Sequence, residues 1–141
     1  MNKKCRVLLC DDHADFRDLV KYALKRVPYI EIVGEAGDGR EVVDKALKLR
    51  PDVVLMDLNM PVLTGLEATR RIKQASKRIK VLILSALGGD EVVSPCLNAG
   101  ASGYVEKYHS LSELTQAIDA VRKGGTYLSP SAFEKVSRAS G

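Results

Sequence analysis

Six residues of this 141-residue chain have side chains suited to group transfer, and each stands at or just past the end of a short apolar run. Asp11 and Asp12 follow Cys5 to Cys10, Asp57 follows Val53 to Met56 with Asn59 two positions on, Ser85 follows Lys80 to Leu84, and Lys107 follows Gly103 to Glu106. Three carboxylates held close together raise one another's pKa and destabilise a fold unless positive charge sits among them. Lys107 supplies one such charge. The remainder suits a hard divalent cation, since Mg²⁺ takes oxygen ligands, keeps several waters and binds through one or two carboxylates plus a phosphate. Such an ion would bridge Asp57 to an incoming phosphoryl group and neutralise its equatorial oxygens. With the Ser85 hydroxyl and the Lys107 ammonium on the other oxygens, Asp57 stands for in-line attack on phosphorus, and the product is an aspartyl phosphate.

Convergence of these residues requires a particular set of elements, and the hydropathy pattern supplies it. Apolar runs rich in Val, Ile and Leu predict strands at Cys5 to Cys10, Ile30 to Glu35, Val53 to Met56, Lys80 to Leu84 and Gly103 to Glu106. Between them, helical spacing predicts helices at Ala14 to Arg26, Arg40 to Leu49, Leu66 to Ala75, Asp90 to Ala99 and Leu111 to Arg122. Runs such as Val-Leu-Leu and Val-Val-Leu-Met are apolar on both faces, as parallel strands covered by helices above and below must be. Five βα units then make a doubly wound α/β sandwich with a five-stranded parallel sheet. In such a sheet ligands bind beyond the carboxyl ends of the strands. In the flavodoxin-like order 2-1-3-4-5, strands one and three are neighbours, and the three aspartates meet on one rim. The glycines and prolines fall near the predicted element ends.

Composition narrows the classes further. At this length a core forms without disulfides or a structural metal. Cys5, Cys10 and Cys96 are odd in number, and Cys5 and Cys10 point to opposite faces of one strand, so all three are read as reduced core thiols of a cytoplasmic protein. The first apolar segment is far too short for a signal peptide core or a membrane span. Lys and Arg number 22 against 18 Asp and Glu, yet up to Ala120 the count is 18 against 17. The basic excess lies in the tail, so the charge balance is weak support for nucleic-acid binding. Residues 1–124 are expected to form one domain, and 125–141, small, polar and basic with room for one short helix, a linker or the start of a further region. His13 and His109 lack a zinc-type spacing and are read as surface residues. Gly88-Gly89 matches neither phosphate-loop pattern and is read as a mobile connection into the fourth helix.

Asp11-Asp12, Asp57-Leu-Asn59-Met-Pro61 with Gly65, Ser85-Ala86, and Tyr104 with Lys107 occur in an order that resembles the receiver domains of bacterial two-component response regulators, over roughly residues 4 to 124. The resemblance implies that Asp57 is the phosphoacceptor. It also implies that Asp12, Asp57 and the Asn59 backbone carbonyl ligate Mg²⁺ directly, with Asp11 acting through water. Ser85, the Ala86 backbone and Lys107 match the phosphoryl-contacting groups, and Ser85 and Tyr104 the switch pair. Ser85 stands where many receivers have Thr, and Tyr108 where many have Pro. Gly103 to Lys107 and Gly124 to Pro130 are further similar to the LuxR/NarL-type subfamily, whose output is a C-terminal helix-turn-helix. No such motif occurs by Gly141, so DNA enters only through a domain absent from this chain.

The function expected from these readings is a phosphorylation-controlled signalling switch, fed by a sensor histidine kinase, compatible with a homodimer and acting on no substrate beyond its own phosphotransfer and dephosphorylation. Leu87 is expected to shield the phosphoryl group from water. Two alternatives stand beside it. One is a Mg²⁺-dependent phosphatase of the haloacid-dehalogenase type, which would want an Asp where Asn59 stands. The other is a docking or dimerisation module that is not phosphorylated.

Overall fold

A computed structural model describes residues 4–86, 93–107 and 111–140. Leu87, Gly88, Gly89, Tyr108 and His109 lie outside the described residues. The chain alternates strand and helix throughout: β1 (Cys5–Cys10), α1 (Ala14–Leu24), β2 (Ile30–Ala36), α2 (Gly39–Leu49), β3 (Val53–Asp57), α3 (Gly65–Ala75), β4 (Lys80–Ser85), α4 (Val93–Asn98), β5 (Gly103–Glu106), α5 (Leu111–Arg122), β6 (Tyr127–Leu128) and α6 (Pro130–Ser140). All strand pairs are parallel, in the order β2-β1-β3-β4-β5-β6.

Period-two alternation sorts the strand residues onto two faces. Leu8 and Cys10 of β1, Val54 and Met56 of β3, Val81 and Ile83 of β4 and Tyr104 of β5 face the layer formed by α2, α3, α4 and α6. Val7 and Leu9, Val53 and Leu55, Leu82 and Leu84, and Val105 face α1 and α5. Both faces are buried, which is why these strands carry no polar alternation. Cys5 and Cys10 fall on opposite faces as their spacing requires, and all three cysteines are buried and unpaired.

Capping sets the helices on the site's side of the sheet. Asp38 accepts the Glu41 N–H at 2.8 Å while Glu41 accepts the Gly37 N–H at 2.6 Å, and Thr64 accepts the Glu67 N–H at 3.2 Å. These side chains satisfy donors left free at a helix start.

Among the described residues the sheet has six strands, not the five expected. The sixth is only two residues long, so it carries no apolar run for periodicity to register. Its Tyr127 and Leu128 pair with Gly103 and Tyr104 at the β5 edge. Behind it, Ser129 caps α6 by accepting the Ala132 N–H at 3.3 Å, and Ala132 and Val136, four residues apart on one helix face, pack on the existing core. That is too little apolar surface for a second core but enough to extend the first. The other departures are of one or two residues at element ends, and the expected start of the fourth helix at Asp90 lies outside the described residues.

Candidate functional site

Sheet register builds the site. Cys10 is paired with Met56, Asp57 with Leu84 and Ser85 with Glu106. The residues just beyond those pairs therefore stand side by side at the carboxyl edge. Asp11 is fully buried and Asp57 nearly so, while Asp12 is about one-third exposed. Lys107 reaches across from β5 with its side chain only 4% exposed. Its Nζ lies 2.6 Å from Asp11 Oδ2 and 3.6 Å from Asp57 Oδ2. The ammonium end of that lysine is also seated over the Phe16 ring, with Nζ 4.6 Å from the centroid.

Backbone geometry fixes Asp57 from behind. The Asn59 N–H donates to Asp57 Oδ1 at 3.4 Å. Gly65 packs so tightly that a Cβ there would stand 2.2 Å from the Asp57 carbonyl oxygen. The chain therefore needs glycine at 65 for close approach. Burial, reinforced by the charge of Asp11, pushes the Asp57 carboxyl up from 3.8 to about 6, against the opposing pull of Lys107 and the Asn59 N–H.

Asp11, Asp12, His13 and Asp57 each offer a ligand atom, and these atoms lie within 4.8 Å of one another. His13, a surface residue by its sequence pattern, is only partly so. Its ring is 64% exposed, yet Nδ1 turns inward, 3.2 Å from Asp11 Oδ1, 3.0 Å from Asp12 Oδ1 and 3.5 Å from Lys107 Nζ. The one signal in the sequence is its place directly after the acidic pair. With three carboxylates against one close ammonium, the donor set is hard, mostly oxygen and anionic, which fits a divalent cation.

Ser85 and Tyr104 are placed differently. Ser85 is buried at the end of β4, and its hydroxyl donates to the Ala86 carbonyl at 3.0 Å. Ala86 itself is exposed, as is Asn59. Tyr104 is 1% exposed, packed in the core layer that also holds Cys96 and Ala132, and its carbonyl accepts the Ser129 N–H at 2.9 Å. Glu106, next to Lys107, accepts a hydrogen bond from Ser131 Oγ of α6 at 2.7 Å.

Residues 7–119 match the response regulator receiver domain family. The chain belongs to that family. This receiver is 40% identical over 127 residues to the transcriptional regulatory protein DegU of Brevibacillus brevis, covering 90% of the chain and 54% of DegU. It is 42% identical over 125 residues to the response regulator GacA of Pseudomonas viridiflava, covering 89% of the chain and 58% of GacA. Among solved structures, a two-component response regulator of the LuxR family from Aurantimonas sp. SI85-9A1 superposes with a TM-score of 0.92 at 34% identity, covering 98% of the receiver and 99% of that chain. The match is thus to a LuxR/NarL-type receiver of a two-component system whose relatives are transcriptional regulators. The receiver spans a little over half the length of DegU and GacA. No helix among the described residues is long and apolar enough to cross a membrane.

Proposed function

We propose that Asp57 accepts a phosphoryl group and that the aspartyl phosphate shifts the receiver between two states. The observation that carries this is the half-buried, divalent-metal-compatible acidic cluster with Lys107 inside it, since a merely structural strand end gains nothing from three crowded carboxylates. The donor would be a phosphohistidine on a sensor histidine kinase. An Asp57 carboxylate oxygen forms the new O–P bond, the P–N bond breaks, and its electron pair leaves with the imidazole, which takes a proton. Asp12, Asp57 and the Asn59 carbonyl would hold Mg²⁺ with Asp11 behind them, and the ion would supply charge neutralisation at the phosphoryl oxygens. Lys107 pairs with a second phosphoryl oxygen, exchanging part of its hold on Asp11. The Ser85 hydroxyl leaves the Ala86 carbonyl for the third, joined by the Ala86 backbone N–H.

That exchange is the switch. Reorienting Ser85 and Lys107 alters the ends of β4 and β5, and Tyr104, buried in the same core layer as α6, responds. Moving such an equilibrium from 1:99 to 99:1 takes about 5.5 kcal/mol of differential stabilisation, within reach of several charge-assisted hydrogen bonds and a metal contact. Transcriptional control through a DNA-binding region would belong to a longer parent protein. The buried, unpaired thiols suit the reducing cytoplasm. Asn59 in place of an acid weighs against the phosphatase reading.

Intact mass after incubation with Mg²⁺ and acetyl phosphate tests the proposal. A gain of about 80 Da, one phosphoryl group, is expected for the wild type and none for Asp57→Asn. A gain of equal size in both would remove Asp57 from the role.

A further inference from the structure

The junction between β1 and α1, which carries Asp11 and Asp12, is gripped from one side. The Asp11 N–H donates to the Ala36 carbonyl of β2 at 3.1 Å. The Asp11 carbonyl accepts from Nη1 of Arg17 on α1. The same guanidinium donates from Nε to Glu35 Oε1 at 3.0 Å, and Glu35 Oε2 accepts from Lys21 Nζ at 2.8 Å. Those two cationic donors, Lys21 foremost, hold the Glu35 carboxyl below the usual carboxylate range. Arg17 is only one-fifth exposed, so its fork is fixed rather than waving in solvent.

The consequence follows from the rigidity of the peptide unit. The Asp11 carbonyl and the N and Cα of Asp12 lie in one plane. Fixing that oxygen fixes where the Asp12 side chain begins. Asp11 has other holds on its carboxylate, namely the His13 N–H at 2.8 Å and Lys107 at 2.6 Å. Asp12 is the exposed member of the cluster, flanked by the exposed His13 ring. Its reach toward Asp57 therefore depends on the backbone that Arg17 holds.

We propose that Arg17 is a positioning residue for the metal-binding carboxylates, acting through the Asp11 carbonyl, with Glu35 orienting its guanidinium; this rests on the Mg²⁺ reading of the site above. Arginine suits the task because Nε and Nη1 serve two acceptors at once, whereas a lysine ammonium is a single point charge on a flexible stem. Lys21 touches Glu35 but not the junction, so it separates positioning from plain stability.

The test is Mg²⁺ titration of the 141-residue chain by calorimetry, well below the unfolding midpoint, with unfolding followed separately in EDTA. Replacing a group that orients metal ligands weakens metal binding about 10–100-fold, and Arg17→Ala is expected in that range. Arg17→Lys recovers part of the affinity. Lys21→Ala keeps affinity within about twofold of wild type while lowering the unfolding midpoint. Wild-type affinity in Arg17→Ala, or an equal loss in Lys21→Ala, would overturn the positioning role. Should Arg17→Ala fail to fold, Arg17→Lys carries the test: a several-fold loss supports the role, and wild-type affinity overturns it. A wild-type chain that binds no Mg²⁺ overturns the site reading itself, a result distinct from any difference among variants.

Discussion

Replacing Asp57 by Asn should stabilise the metal-free chain, although Asp57 is the residue on which the proposed chemistry depends. Its carboxyl is raised from 3.8 to about 6, first by burial and then by the charge of Asp11. A carboxyl whose folded pKa is raised favours the fold below its unfolded value and loses that contribution as pH climbs through the folded value. The window here is about pH 4 to 6. Two pKa units correspond to about 3 kcal/mol, the cost of keeping Asp57 ionised in the folded chain once pH is well above that window. The replacement amide is nearly isosteric, stays neutral, and can still accept the Asn59 N–H that reaches Asp57 Oδ1 at 3.4 Å. Its N–H₂ group facing Lys107 gives back part of the gain, leaving about 2 kcal/mol. For a domain of this size that is a rise of roughly 5–10 °C in Tm. Thermal and urea unfolding of both proteins in EDTA from about pH 4 to 8 measures it. The gap should be small at the acid end, open through about pH 6 and close again when saturating Mg²⁺ stabilises the wild type. An Asp57→Asn protein less stable than wild type at about pH 7.5, or a gap independent of pH, would refute the electrostatic reasoning.

Three further outcomes follow from the same geometry. Lys107→Met leaves the fully buried Asp11 without the ammonium now 2.6 Å away, and should cost about 3–5 kcal/mol at neutral pH; adding Asp11→Asn should restore most of it, and additive losses in urea unfolding would contradict the pairing. Gly65→Ala drives a methyl to 2.2 Å from the Asp57 carbonyl oxygen; a loss of about 1–3 kcal/mol and slower phosphorylation by acetyl phosphate are expected, and a neutral effect on both would show that the β3 to α3 loop moves freely. Burial pushes the Cys5 and Cys96 thiols up to about 11 and raises Cys10 further, with the Asp57 charge adding to it; the native chain should therefore resist a thiol reagent at about pH 8, releasing three equivalents only on unfolding, and rapid native labelling would contradict the packing.

The legible parts of this protein are those in which one residue type has one reason to be there. Val-Val-Leu-Met of β3 is apolar on both faces because helices cover both, and that pattern is visible without coordinates. Asp11, Asp57 and Lys107 are visible because parallel strands deliver their next residues to one edge. The β6 strand leaves no pattern because it is two residues of edge pairing, and α6 little because Ala132 and Val136 borrow a core made by earlier elements. His13 is hard to place from sequence because exposure and an inward-turned Nδ1 coexist in one ring. The Arg17 to Glu35 link spans two elements, and nothing in local sequence marks it. The direction of the Ser85 hydroxyl is a rotamer, set by the Ala86 carbonyl beside it, and rotamers leave no trace in residue order.

Phosphorylation at Asp57 is tested most directly by trapping the acyl phosphate itself. After incubation with Mg²⁺ and acetyl phosphate, borohydride reduces an aspartyl phosphate to homoserine, and peptide mass spectrometry locates the changed residue. The expected result is homoserine in place of Asp57 alone, dependent on Mg²⁺ and absent without the donor. Homoserine in place of Asp11, Asp12 or another carboxylate, with Asp57 unchanged in a chain that binds Mg²⁺, would contradict the assignment.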